Sequence, residues 1–169
     1  KAFAPLIIES KGRITTTGSI SGILSGAFIG PYSISKHGIE AFIDTLATEM
    51  ETLGVHVSVV EPGNYNSSVI SSMKSRMDEL GRSADDSLFG ERMQRVANMP
   101  TDRSQYKEPD EVSNAFLHAL FDEKPKRRYV VVPNEASGEV TIKKAMQELV
   151  QLNEWQAWSY DREALIKIL

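Results

Sequence analysis

The sequence predicts an α/β fold in which a parallel sheet is covered by crossover helices. Two observations carry this. The short runs RITTT, VHVSVV and RRYVVV alternate with longer segments of helical period. The runs are β-branched or apolar almost throughout, as strands are when helices cover both faces.

The elements follow in order. The opening KAFAPLIIES clusters Phe3, Leu6 and Ile7 as a helix would, and Gly12 reads as its C-cap. RITTTGS is the first strand. A Gly/Ser-rich loop runs from Gly18 to Gly30. Pro31 suits the first helical position, where a backbone N–H has no partner anyway. Ile39, Ile43, Leu46, Met50 and Leu53 then fall four and three apart. They form one face of a long helix that ends near Gly54 and covers the sheet. VHVSVVEPG is the second strand, stopped by Pro62-Gly63. Residues 64–105 are polar and Met-rich, with helical fragments. EPDEVSNAFLHALFD is a helix with Pro109 and Asp110 near its start, and RRYVVVP is the third strand. NEASGE reads as a turn. Ile142, Ala145, Met146, Leu149 and Leu152 predict another helix, and the tail with Trp155 and Trp158 a further one. The 169 residues are taken as a single domain, with 137–169 as a C-terminal helical extension.

Composition excludes several classes of function. The chain is 41% hydrophobic and 25% charged, an ordinary balance for a globular protein. A net charge of −4 gives no reason to expect nucleic acid as a partner. Zero cysteines rule out disulfides, thiolate nucleophiles and cysteine metal sites. His37, His56 and His118 are scattered, so no metal site is expected. No apolar run approaches the ~18–20 residues of a membrane span. A cytoplasmic protein is expected.

The chemistry is concentrated in GPYSISKHGIEAF, residues Gly30 to Phe42. Tyr32 and Lys36 are one turn apart, so both side chains can reach one substrate-sized space. An isolated phenol, with a pKa of about 10, is a poor base at neutral pH. A neighbouring cation favours its phenolate, which suits it for general acid–base work. A bare Y-x-x-x-K is short and common, and its plain reading is a packed tyrosine and a solvated lysine. Context decides against that reading. Ser19 ends the first strand, and EPGNYNS ends the second. Ligands of open α/β sheets bind beyond such carboxyl ends.

Through GRITTTGS, PYSISKHGIEAF and VSVVEPGNYNS, in that order, the chain resembles the short-chain dehydrogenase/reductase family. Chiefly through EPGNY it is similar to the branch of retinol and hydroxysteroid dehydrogenases. The resemblance runs to about Pro133. It implies that these residues are the C-terminal part of a Rossmann-like, doubly wound parallel sheet. It implies NAD or NADP as cofactor and a small-molecule alcohol or carbonyl as substrate. Ser19 would position the substrate oxygen, Tyr32 would exchange a proton with it, and Lys36 would favour the phenolate and bind the nicotinamide ribose. Pro62, Gly63, the backbone near Tyr65, and Ser67 would line the cofactor. Residues 67–105 would form a substrate lid. Its Val69, Met73, Met77 and Leu80 are helically spaced, and Leu88, Phe89, Met93 and Val96 follow. Met73 and Met77, with Ser21, are the substrate-contact candidates, and such a lid suits a steroid, retinoid or fatty alcohol. The plain alternative is ordinary packing of a surface helix. The long helix, through Ala41, Phe42, Thr45, Thr48 and Glu49, would build a homodimer or homotetramer of the full-length protein.

The family's Gly-rich first turn, its NAD-or-NADP selecting residue, its Asn-Asn-Ala-Gly segment and its relay asparagine are not among these residues. An N-terminally truncated sequence is therefore expected, and the 169 residues alone are expected to be inactive. The rival readings are a catalytically inactive cofactor-binding or interaction module and an epimerase or dehydratase of the extended branch. KPKRR reads as a solvated turn, His37 as structural or exposed, and the sequon at Asn66 as a chance match.

Overall fold

A computed structural model describes residues 1–81, 83 and 87–168. They fall into two compact units, Lys1–Pro133 and Asn134–Leu169. The first unit carries α1 (Ala4–Glu9), β1 (Arg13–Thr17), α2 (Gly30–Glu51), β2 (His56–Pro62), α3 (Val69–Glu79), α4 (Gly90–Ala97), α5 (Asp110–Phe121) and β3 (Arg128–Val131). A single 3-10 turn, Ile20–Gly22, follows β1. The second unit carries α6 (Glu135–Glu154) and α7 (Arg162–Ile168).

The sheet is parallel, in the order β1-β2-β3. β2 is central and its interior is buried on both faces, which is why it is rich in valine. Val57 and Val59 join Ile43, Ala47 and Met50 of α2 in the core. Ile7, Ile8, Ile14, Ile39 and Leu46 pack around them. Ile43 and Val59 are fully buried, and such burial is worth about 1.5–3 kcal/mol per side chain. Side chains alternate along a strand, so Ser58 and Val60 point to the other face, where α5 packs. Glu61 is therefore in phase with Val57 and Val59 and points toward α2.

The register sets the level of the site. Thr17 at the end of β1 pairs with Val60, so Glu61 and Pro62 extend beyond it. Pro62 pairs with Val131 at the end of β3.

Several boundaries differ from the sequence expectation. The left-handed residue after α1 is Lys11, at φ 48°, rather than Gly12. At Gly12 space is tight: a Cβ there would lie 3.0 Å from Ser10 Oγ. α2 stops at Glu51, and Gly54 turns the chain toward β2 at φ 74°, where glycine carries no steric penalty. NEASGE is no turn. Asn134 accepts a 3.0 Å hydrogen bond from the Ser137 N–H and caps α6, with Glu135 favourable in the first turn. Asparagine, serine and glycine serve turns and helix starts alike, so composition could not separate the two. Trp155 and Trp158 lie in the exposed connection before α7, not within a packed helix. There Asn153 grips the backbone of Tyr160 with two hydrogen bonds, at 2.8 and 2.9 Å.

Candidate active site

Ser19 leaves β1 in extended conformation and caps the 3-10 turn, where its Oγ accepts a 3.1 Å hydrogen bond from the Ser21 N–H. The side chain is nearly buried, and the Ser21 backbone fixes its oxygen as an acceptor. Its own hydrogen stays available to donate.

Tyr32 stands in the first turn of α2 and is exposed. Lys36, one turn on, lies with Nζ 5.7 Å from the centroid of the Tyr32 ring. The same ammonium donates to Thr17 O at 3.2 Å. That bond fastens the start of α2 to the end of β1, two residues before Ser19. The structure thus brings Ser19, Tyr32 and Lys36 to one end of the sheet. The next turns of the same face carry Glu40 and Asp44. Arg128 of β3 reaches Glu40 at 3.1 Å, Asp44 at 2.8 Å and Glu61 at 3.6 Å.

The loop after β2 is tied down along its length. Gly63 N donates to Val131 O at 2.7 Å, and a Cβ there would press on Pro133 and Val132 at 3.1 Å. Arg103 donates to Asn64 Oδ1 and, at 3.2 Å, to Tyr65 O. Its guanidinium lies 3.6 Å from the centroid of Tyr106. Tyr65 is buried, and its hydroxyl donates to Glu111 at 2.7 Å. Burial first, and that carboxylate second, push the phenol's pKa well up, so it stays neutral. Lys107, and then the Tyr65 hydroxyl, hold the Glu111 carboxyl below the ordinary carboxylate range. The Tyr65 side chain is thus committed to α5. Asn66 is held through its N–H to Lys107 O, at 2.9 Å, and through its amide to Glu108. Ser67 is exposed at the end of this loop.

The segment expected to be a lid contains α3 and α4. Met73 and Met77 are half-buried on α3. Phe89, just before α4, packs edge-on against Phe28 of the loop before α2, with centroids 5.4 Å apart. Arg92 of α4 lies 5.5 Å from the same Phe28 ring. Phe28 has φ 68°, a left-handed conformation uncommon for an aromatic residue. Arg82 and residues 84–86, between α3 and α4, lie outside the described residues.

Reading the sequence alone missed Phe28, Arg103 and the Glu40–Glu61–Arg128 group, and gave Phe89 only as one of the lid residues. Glu61 could have been found. An acid in phase with buried valines of a central strand needs a partner, and Glu40 shares the helical phase of Tyr32 and Lys36.

The donor set fits the nicotinamide-ribose half of a dinucleotide. Lys36 uses one N–H on Thr17 O and keeps others for a diol. Among the described residues no helix is long and apolar enough to cross a membrane.

Ser19, Tyr32 and Lys36 thus lie at the carboxyl end of a parallel strand, where open α/β sheets bind their ligands. Residues 1–78 match the family model described as short chain dehydrogenase. The chain is 35% identical over 139 residues to the mitochondrial D-beta-hydroxybutyrate dehydrogenase of Rattus norvegicus, covering 76% of this chain and 40% of that protein. It is 32% identical over 133 residues to retinol dehydrogenase 16 of Homo sapiens, covering 74% and 42%. A short chain dehydrogenase/reductase from Burkholderia phymatum, solved in complex with NAD, superposes with a TM-score of 0.61 at 20% identity, over 94% of this chain and 56% of that one. The chain belongs to the short chain dehydrogenase family. It spans roughly two fifths of the length of these curated relatives, 40% and 42%.

Proposed function

We propose that the protein containing these residues interconverts an alcohol and its carbonyl with NAD or NADP, and that the substrate is bulky and apolar. The observation that carries the reaction is the Lys36–Thr17 hydrogen bond, which sets Tyr32 beside the strand end that delivers Ser19. Ser19, gripped from behind by the Ser21 N–H, donates to the substrate oxygen. Tyr32 takes the alcohol proton in oxidation and returns it in reduction. Lys36 grips the nicotinamide ribose. The bound nicotinamide supplies or accepts the hydride. The loop from Pro62 to Ser67, fixed by Arg103, Glu108 and Glu111, offers its backbone to the carboxamide.

The aromatic contact between Phe28 and Phe89 and the half-buried Met73 and Met77 support an apolar substrate. Ser21 stands beside Ser19 as a further substrate contact. The relatives' names point two ways, to a small hydroxy acid and to a retinoid. A panel of steroids, retinoids, long-chain alcohols, β-hydroxybutyrate and small sugars, read by nicotinamide absorbance, separates them. Turnover of bulky apolar alcohols is the expected result. Activity confined to sugars or to the hydroxy acid would overturn the substrate class.

The full-length protein is proposed to be a homodimer or homotetramer built on α2. Phe42 is 55% exposed on the face away from the sheet, with Ala41, Thr45, Thr48 and Glu49 also exposed around it. Phe42→Glu is expected to split the assembly, because burying an unpaired charge costs on the order of 3–5 kcal/mol. Light scattering decides. A parent that is already monomeric, or a variant that associates as tightly as the parent, would assign the interface elsewhere.

A further inference from the structure

Two carboxyl groups that the proton exchange does not use lie beneath it. Glu40 sits on α2 one turn below Lys36, and Glu61 sits on β2 just before Pro62. Glu61 is completely buried. Both of its oxygens, and Glu40 Oε1, are shut off from solvent and receive no hydrogen bond. The charged groups facing the pair are Arg128 from β3 and Asp44 from α2. Arg128 Nε lies 3.1 Å from Glu40 and 3.6 Å from Glu61, and its Nη2 is taken up by Asp44 at 2.8 Å. Three carboxyls thus face one guanidinium. On the β1 side, glycine backbone comes up to the pair. A Cβ on Gly18 would lie 3.1 Å from Glu40 Oε1 and 3.3 Å from Glu61 Cγ. A Cβ on Gly22 would lie 3.0 Å from Glu40 Oε1. Gly18 and Gly22 bracket Ser19, so the turn that carries the serine rests directly on the two acids.

We propose that Glu40 and Glu61 share one proton, and that this singly protonated pair is the positioning element that holds the Ser19 turn in register with Tyr32 and Lys36. The inference rests on the reading of these three residues as the reacting site. The shared proton explains how carboxyl oxygens without any protein donor are satisfied: one acid donates to the other. It also bridges α2 to β2 at the level of the site. Removing the proton leaves two anions face to face in a water-poor space, with a guanidinium already engaged by Asp44. They must separate. Gly18 and Gly22 leave no room for a Cβ between themselves and these acids, so the Ser19 turn moves with them.

Burial first, and the Glu40 neighbour second, push the Glu61 carboxyl up to about 8. The folded protein therefore binds this proton more tightly than the unfolded chain, whose ordinary value is 4.5. The stability that the pair contributes is full below that ordinary value. It declines as pH rises and is gone above the folded-state value. At neutral pH the bridge is intact; at alkaline pH the turn is released.

The test uses the full-length protein and two substitutions. Glu61→Gln keeps a donor that no pH removes. It is expected to hold kcat within about threefold of the parent at pH 7 and to move the alkaline fall of kcat upward by at least about one pH unit. Glu61→Leu removes the bridge and leaves Glu40 to ionise alone. It is expected to lower kcat at least about tenfold with cofactor affinity within about threefold, the split that a misplaced serine gives. An alkaline fall in Glu61→Gln that overlays the parent's would overturn the proposal, and so would a Glu61→Leu enzyme with parental kcat. If Glu61→Leu does not fold, the Glu61→Gln profile still decides. If no alcohol or carbonyl is turned over, the functional reading fails by itself, and melting temperature then tests the pair. A midpoint that falls between about pH 5 and pH 8 in the parent, through the interval from the ordinary to the folded-state value, and stays level in Glu61→Gln supports the shared proton, whereas parallel curves overturn it.

Discussion

Replacing Tyr32 by phenylalanine in the full-length protein is expected to cut kcat by ~10²–10⁴ and to leave cofactor affinity within about threefold. The barrier rises by roughly 3–5 kcal/mol on that scale. The phenol is asked for one thing, a proton at the substrate oxygen, and phenylalanine removes only that. Tyr32 is exposed, so its hydroxyl satisfies no buried partner and its loss strands none. The ring keeps its place 5.7 Å from Lys36 Nζ. Lys36→Ala should behave differently. It removes the donor to Thr17 O that fastens α2 to β1, together with the cation proposed to grip the ribose. Both kcat and cofactor affinity should fall. Steady-state kinetics paired with a fluorescence titration of NAD or NADP separates the two variants. A Tyr32→Phe enzyme within about tenfold of the parent would remove tyrosine from the proton path. An unchanged cofactor titration in Lys36→Ala would remove the ribose contact.

The parts of this site that could be read from sequence are those whose partners are close in sequence. Tyr32 and Lys36 are one helical turn apart, and Ser19 follows its strand directly. Period and the strand end therefore placed the three positions, and the family resemblance implied their roles. The core of α2 was legible for the same reason: Ile43 and Met50 lie on the apolar stripe that packs on β2. The supporting groups have distant partners. Arg128 finds Glu40 from 88 residues away, and Arg103 finds Asn64 from 39. No period or motif links such positions; only the register of three parallel strands brings them together. Tyr65 shows a further limit. Its place in EPGNY pointed to the backbone near it as a cofactor contact and said nothing of its hydroxyl, which belongs to Glu111 on α5.

Gly18→Ala is expected to cost about 1–3 kcal/mol of stability and to lower kcat at least about tenfold. The reason is space rather than backbone conformation. A methyl group at position 18 would stand 2.8 Å from Val59 Cγ2, closer than van der Waals contact allows, as well as pressing on Glu40 and Glu61. Val59 is fully buried between strand and helix and cannot retreat. The neighbouring carboxyls are fixed by Arg128. The chain itself must therefore lift, and the Gly18 N–H bond to Val60 O, 2.8 Å, is what it would strain. Ser19 is the next residue, so the same lift carries its hydroxyl away from the substrate oxygen. Gly90→Ala serves as the control. A Cβ there meets nothing within 4 Å at the start of α4, and trading glycine for alanine in a helix should hold or raise the unfolding midpoint. Denaturant unfolding of both variants, with kcat measured on Gly18→Ala well below its melting temperature, checks the argument. A Gly18→Ala protein as stable and as active as the parent would mean that the β1 exit has room to spare, and that Ser19 is not held by the packing described above.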